Sequence, residues 1–416
     1  MNLDKQRWVI VLCSLIIQIN LGTLYTWSIF KNPLIKQFGW DPVSTSFVFS
    51  IIIVVFYGST IPWGRIQDRF GPRWVATCGG VLYGLSILLA SQTTSLIYFY
   101  LTYGVIGAIG IGAGYVCPLA TCMKWFPDKR GFITGIIVAG FGLGAMIFTG
   151  FVNNLIDSRG VLGSFEILGW VYGTLIVVAS QFLRNPPKGY TPAGWTLPAD
   201  QEMSSTRDFE WTGMMRTRQF WIIALSYIFG ANTGLMIVSN IISIATTQGV
   251  TGATALFAVT VLSLCNSAGR IGGGLTSDKF GRLNVLKVLF LFQAIACFAF
   301  NYISGIPVLV MIGIIGICWG GFLAIFPSLT ADYFGIRNLG MNYGCVFFVL
   351  GLGTMNSSVL YDLLRTSRWV DPIIFCGILS VFGFAMMFVM SPPRMSIKYI
   401  KKNAKANCPL KQCIRP

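Results

Sequence analysis

The residue with the clearest chemistry in this chain is Arg270, set in Leu262-Ser-Leu-Cys-Asn-Ser-Ala-Gly-Arg270-Ile-Gly-Gly-Gly274. An arginine inside an apolar, glycine-rich helix costs several kcal/mol unless it lines a water-filled cavity or has a partner. No carboxylate stands one turn before it; that position is Asn266. All 14 Asp and Glu fall in loops or near the ends of apolar segments, and Glu166 comes nearest to an interior. A fixed positive charge without a nearby carboxylate reads as a site for an anion. The planar guanidinium also matches a carboxylate in bidentate fashion. The competing reading is a snorkelling side chain, since Asp278 in the next loop lies only about 12 Å of helix rise away.

The elements that must position this charge are membrane spans. The chain has 416 residues, 54% hydrophobic and 11% charged, with a mean hydropathy of +0.70. A soluble protein carries roughly 25% charged residues, so the composition is that of an all-α polytopic membrane protein. Apolar runs predict twelve spans: 8–30, 44–63, 74–91, 96–120, 131–152, 165–183, 219–243, 253–274, 284–301, 306–327, 340–359 and 371–390. An even number puts both termini on one side. Of the 30 Lys and Arg, 24 lie on that side, five lie opposite (Lys31, Lys36, Arg159, Arg365, Arg368), and Arg270 completes the set. The positive-inside rule then predicts cytoplasmic termini.

The net charge of +16 therefore has a source in the loops and needs no nucleic acid. Histidine is absent, which removes zinc–histidine sites, histidine triads and histidine proton relays. The 11 cysteines are scattered, so neither a disulfide framework nor a metal site is expected, and Cys408 and Cys413 lack partners for one. No cofactor is expected. The first apolar run lacks a small-x-small cleavage site and reads as an uncleaved span. The basic tail, residues 391–416, is predicted to rest on anionic lipid headgroups.

The spans divide six and six: a bundle over 1–183, a linker over 184–218 and a second bundle over 219–390. Gly64-Arg-Ile-Gln-Asp68-Arg-Phe-Gly71-Pro-Arg73 recurs as Gly274-Leu-Thr-Ser-Asp278-Lys-Phe-Gly281-Arg282, 210 positions on. Gly131, Gly135 and Gly142-Leu-Gly144 recur as Gly340, Gly344 and Gly351-Leu-Gly353, and Gly104, Gly107 and Gly112 as Gly313, Gly316 and Gly321, each 209 positions on. Two parallel six-helix repeats are a signature of alternating-access carriers, with the substrate near mid-membrane between the halves. Thr60 occupies the place equivalent to Arg270, so the shared scaffold does not need a cation there.

At these residues the chain resembles the major facilitator superfamily, and Gly64 to Arg73 matches its loop motif between spans two and three. Tyr25-Thr-Trp27-Ser, Lys124-Trp-Phe-Pro-Asp-Lys-Arg-Gly131, Gly320-Gly-x-x-x-x-Phe326-Pro-Ser and Asn342-Tyr-Gly344 are similar to the oxalate/formate antiporter family, which also resembles the monocarboxylate transporters. The resemblance implies that Arg270 binds the anion and that Tyr25, Trp27, Tyr115, Phe141 and Trp319 wall its site, with Asn266 beside Arg270. It implies a gating role for Asp68, Arg69, Arg73, Asp278, Lys279 and Arg282. Two positions depart from the family pattern. Leu350 stands where a second cationic clamp is expected, and Leu323 where a tyrosine is expected.

One cation balances one negative charge, so a small monocarboxylate such as formate, lactate or pyruvate fits better than a dianion. The expected protein is a non-enzymatic secondary or facilitative carrier, monomeric, in a bacterial inner membrane. The alternatives are a dicarboxylate exchanger of the oxalate/formate type, an efflux carrier of other organic compounds, and a transporter-like nutrient receptor.

Overall fold

A segment that crosses lipid must satisfy its backbone polar groups internally, which long apolar runs do by coiling into helices. The computed structural model describes residues 3–187, 189–192, 208–250, 253–354, 357, 360–361, 363–364 and 371–391. Arg365, Arg368, Cys408, Cys413 and the tail from Arg394 onward lie outside the described residues. The helices are α1 (Leu3–Leu21), α2 (Trp27–Phe38), α3 (Pro42–Phe70), α4 (Pro72–Ala90), α5 (Leu96–Phe99), α6 (Gly107–Trp125) and α7 (Arg130–Ser180) in the first half. The second half holds α8 (Trp211–Met215), α9 (Arg218–Thr247), α10 (Ala253–Phe280), α11 (Arg282–Phe300), α12 (Val308–Phe334), α13 (Leu339–Thr354) and α14 (Pro372–Val389).

Among the described residues, nine helical stretches are long and apolar enough to cross a bilayer. One is α7, which makes two traverses broken at Gly160, where φ is 71°. With the glycine- and arginine-bearing α10 and the shorter α13, the chain has the twelve spans and two six-helix halves of the sequence reading. The boundaries differ at several spans: the second runs over Pro42–Phe70, the eighth over Ala253–Phe280 and the tenth over Val308–Phe334, each extending past its expected end. The first span runs over residues 3–38 and passes through a 3-10 stretch, Gly22–Thr26, between α1 and α2. The fourth passes through a π-helical stretch, Tyr100–Ile106, between α5 and α6. Thr23 and Thr26 each return a hydroxyl to the carbonyl three residues back, at 2.5 and 2.6 Å. Such back-bonding competes with the α-helical ladder and bends helices.

The halves meet along two seams related by the repeat. In one, α3 packs on α13; in the other, α7 packs on α10. Gly64 lies against the backbone of Gly340, and Gly131 against that of Gly274, so closely that no side chain fits. At the same end of the bundle two carboxylates close the seams. Asp68 accepts from the backbone N–H groups of Gly340 (3.2 Å) and Met341 (2.9 Å), in the first turn of α13. Asp278 accepts from Gly131 (2.9 Å) and Phe132 (2.8 Å), in the first turn of α7. A helix start leaves N–H donors without intrahelical partners and carries partial positive charge, so each carboxylate supplies both missing acceptor and counter-charge.

The two latches are not equally braced. Asp68 has Lys124 at 3.6 Å. Asp278 is paired with Arg282 at 2.5 Å, and Arg282 and Arg130 both reach Asp332, at 3.1 and 2.7 Å. Arg73 bonds Gln181 instead (2.9 Å), while Arg69 and Lys279 are exposed, so these three stand outside the latches. Before α8, the Phe209 N–H donates to the Phe334 carbonyl (3.0 Å), and its own carbonyl accepts from the side chains of Asn338 (3.1 Å) and Asn342 (3.0 Å). The linker is thereby fastened beside the start of α13.

A carboxylate at a helix start is worth about 1–2 kcal/mol when partly buried. In a chain with its native cysteines replaced, the fully buried Thr60→Cys should react with a membrane-impermeant maleimide about five- to thirtyfold faster once Asp68→Asn is added. An unchanged labelling rate would show that this carboxylate does not hold the seam shut.

Candidate functional site

Above the latched end the two halves separate around one cavity. Its walls come from the 3-10 stretch (Tyr25), α3 (Phe56, Tyr57), α6 (Tyr115), α7 (Val138, Phe141), α9 (Ala231, Leu235), α10 (Arg270), α12 (Trp319, Leu323) and α13 (Phe347, Leu350). The space open to the centre of a water-sized sphere is about 40 Å³. One water needs about 10–15 Å³ on that measure, so the cavity suits about three waters or an anion of a few heavy atoms. Tyr25 is 41% exposed, whereas Arg270 is only 4% exposed. The approach to the cavity is thus from the end opposite the latches.

Arg270 is held across the seam. Its Nη1 donates to the Val138 carbonyl of α7 at 2.5 Å, and its Nε is buried without a hydrogen-bond partner. Among the described residues it makes no ion pair. Gly142 makes room for the guanidinium: a Cβ there would stand 2.6 Å from Nη1 and 3.0 Å from Cζ. A buried charge bonded by one carbonyl and faced by no acid is under-compensated in a low dielectric.

The rest of the wall is an aromatic box. Tyr115 stacks on Phe347 (5.1 Å, 15°) and meets Phe141 edge-on (5.2 Å), and Phe141 meets Tyr25 edge-on (5.6 Å). Such rings exclude water, while their edges and hydroxyls present positive charge or donors to an anion. Trp319 is 9% exposed, and its indole Nε1 is buried without an acceptor. It lies flat against Gly234, where any side chain would displace it.

Of the residues expected from the sequence, Arg270, Tyr25, Tyr115, Phe141 and Trp319 come together here. Trp27 does not. It packs away from the cavity against Phe99 (6.0 Å) and Tyr103 (5.9 Å). Residues two apart on a helix point to nearly opposite faces, so Trp27 and Tyr25 cannot share a site. Asn266 is also outside the lining. It is 5% exposed and pressed against Gly320, with its Nδ2 unpartnered. The sequence reading missed Phe56, Tyr57, Val138, Ala231, Leu235 and Phe347. The repeat held a signal for one of them, since Leu235 lies 210 positions after the expected Tyr25; an offset of 209 only pairs the missed Val138 with the missed Phe347. The same offset pairs Phe141 with Leu350.

Two latched six-helix halves around a mid-membrane cavity with an unpaired arginine define a membrane transporter of the alternating-access type. The chain belongs to the Major Facilitator Superfamily, whose family model matches residues 9–355 and 229–411. It is 28% identical to the uncharacterized MFS-type transporter YhjX of Escherichia coli K12, over 85% of this chain and 87% of that one. It is 28% identical to the oxalate:formate antiporter of Oxalobacter formigenes, over 96% and 94% of the two chains. The crystal structure of FucP in its outward conformation superimposes with a TM-score of 0.70 over 92% of this chain and 97% of that one, at 16% identity, a likeness of fold.

Trp319→Phe removes the unpartnered donor and keeps an aromatic wall, and a hydrogen bond to a charged group is worth about 1.5–3 kcal/mol. The substitution should weaken binding of a labelled small organic anion by about tenfold or more, measured by scintillation proximity on purified protein. Trp27→Phe should leave that affinity within about twofold. Equal effects of the two would remove Trp319 from the site.

Proposed function

We propose that this protein is a secondary carrier of small organic anions, most simply monocarboxylates of the formate, lactate and pyruvate type, with Arg270 as the carboxylate-binding residue. The observation that carries the reading is a guanidinium 4% exposed, without an ion pair among the described residues, facing a cavity of about 40 Å³. The position of Leu350 and Leu323 in the same wall favours a single negative charge. They make the place of a second clamp apolar, where an unmatched carboxylate would be penalised. The name of the oxalate:formate antiporter supports the anion class, and these two leucines weigh against oxalate itself.

None of the cavity-lining residues is an acid, so the wall offers no carboxylate relay for protons. That favours anion exchange or uniport. The latched end carries the excess of lysine and arginine, and by the positive-inside rule it is the cytoplasmic end, with both termini. The cavity then opens outward, and the setting is a bacterial inner membrane, with the basic tail on anionic headgroups. The protein works as a monomer, since the cavity is complete within one chain.

The test is counterflow in proteoliposomes loaded with formate, lactate, pyruvate or oxalate. Saturable entry of a labelled monocarboxylate should fall by about a hundredfold or more in Arg270→Gln, because removing one member of a buried charge pair costs about 3–5 kcal/mol. Arg270→Lys should recover only part, lacking the planar fork. Leu350→Arg should raise oxalate entry relative to formate. Undiminished entry in Arg270→Gln would return that residue to a structural role, and native oxalate entry equal to that of formate would overturn the monocarboxylate preference.

A further inference from the structure

The 3-10 stretch that carries Tyr25 is not held by the substrate cavity alone. On its other side lies a second, much smaller cavity, wholly within the first half, lined by residues that include Thr23, Thr26, Tyr83, Tyr103 and Tyr172. It offers about 10 Å³ to the centre of a water-sized sphere, the space of about one water. Its polar groups have an ordered set of donors. Thr23 gives its single hydroxyl proton to the Asn20 carbonyl at 2.5 Å, so in the 2.9 Å contact with Tyr83 the phenol is the donor. Thr26 likewise spends its proton on the Thr23 carbonyl at 2.6 Å. Both threonine oxygens keep acceptor capacity.

Tyr172 faces them. Its ring stacks on Tyr83 (6.3 Å, 13°) and meets Phe148 edge-on (5.0 Å), which fixes it in place. Tyr172 is 2% exposed, and its hydroxyl approaches Thr23 without forming a well-aligned hydrogen bond. A buried phenol with a proton to give, beside space for about one water and threonine oxygens able to accept, is the setting in which an internal water bridges polar groups. The repeat shows a related tie in the second half, 210 positions on. There Gln293, the counterpart of Tyr83, donates to the Gly230 carbonyl of α9 at 3.1 Å and accepts from Ser380 at 3.0 Å. In each half, the helix that brings Tyr25 or its counterpart Leu235 to the substrate cavity is tied from behind.

We infer that Tyr83 directly, and Tyr172 through one buried water, are positioning residues that hold the 3-10 break of the first span so that Tyr25 faces Arg270. Neither touches the substrate cavity. The inference rests on the proposed role of Tyr25 and Arg270 at the anion site.

The test is a double-mutant cycle in proteoliposomes, with labelled formate, lactate and pyruvate as probes. Tyr83→Phe and Tyr172→Phe keep the rings and remove only hydroxyls. Each should raise KM about five- to tenfold with kcat within about twofold. Neither should add to the effect of Tyr25→Phe, because once the Tyr25 hydroxyl is gone there is nothing left to aim. A purely structural role would lower thermal stability, leave KM unchanged, or add fully to Tyr25→Phe, and any of these kinetic results overturns the inference.

Hydrogen exchange by mass spectrometry gives a readout independent of flux. Exchange should rise in peptides covering residues 20–27 in both variants, and exchange equal to the native protein there also overturns the inference. Failure of the underlying reading looks different. Arg270→Gln would then transport like the native chain, whatever the two tyrosine variants do.

Discussion

The constraint on which the rest depends is the cost of keeping one guanidinium inside a bilayer. Arg270 is bonded by a single protein carbonyl, that of Val138, and it reaches that carbonyl across the boundary between the two halves. Burial strengthens every interaction the charge can make and penalises every one left unmade. An aromatic wall and a shut seam on one side keep water scarce, while Tyr25 stays exposed to the approach on the other. The site therefore combines a strong field for anions with a single route of access. Because Arg270 belongs to one half and its carbonyl to the other, the proposed anion on the guanidinium would act on a bond that spans the two halves.

The scaffold around this charge is symmetric, and the charge is not. The two carboxylate latches, Asp68 on α13 and Asp278 on α7, repeat one another down to the second and third residues of the helices they cap. The glycine seams repeat as well. At the level of the cavity the symmetry ends: Thr60 gives its one hydroxyl proton to the Tyr57 carbonyl of its own helix at 2.7 Å, where Arg270 bonds the Val138 carbonyl across the seam. The latch beside Arg270 is also the one braced by Arg282, Asp332 and Arg130. The shared scaffold needs both seams, whereas the proposed anion site needs one cation, and a duplicated bundle can keep the first in duplicate while specialising the second.

The irregular stretches of the helices lie close to the function. The first span abandons the α-helical ladder where Gly22 passes the Phe141 carbonyl with no room for a side chain, and three residues later Tyr25 enters the cavity. The π-helical stretch Tyr100–Ile106 brings Tyr103 to the small cavity behind that break. Neither irregularity is marked by charge, since both stretches are free of ionised residues. They follow from threonine hydroxyls competing for backbone carbonyls and from close helix crossings.

The sequence by itself determined the membrane class, the twelve spans, the duplication, the family and the one intramembrane cation. The family rests on the resemblance of local motifs, and the others are written in composition, period or spacing, none of which depends on what packs against what. Arg270 was legible because charge in an apolar helix is costly wherever the helix ends up. Asp68 and Asp278 were legible as a recurring motif. Tertiary structure alone decided that those carboxylates cap helices of the opposite half, 273 residues away in the chain for Asp68 and Met341 and 146 for Asp278 and Phe132. It also decided that Tyr25 faces the cavity while Trp27 turns away, that Asn266 is pressed against Gly320, and that apolar side chains such as Leu235, Leu323 and Leu350 form the wall opposite the charge. A leucine in a membrane helix carries the same hydropathy facing lipid, core or cavity. Only the crossing of the helices separates the three.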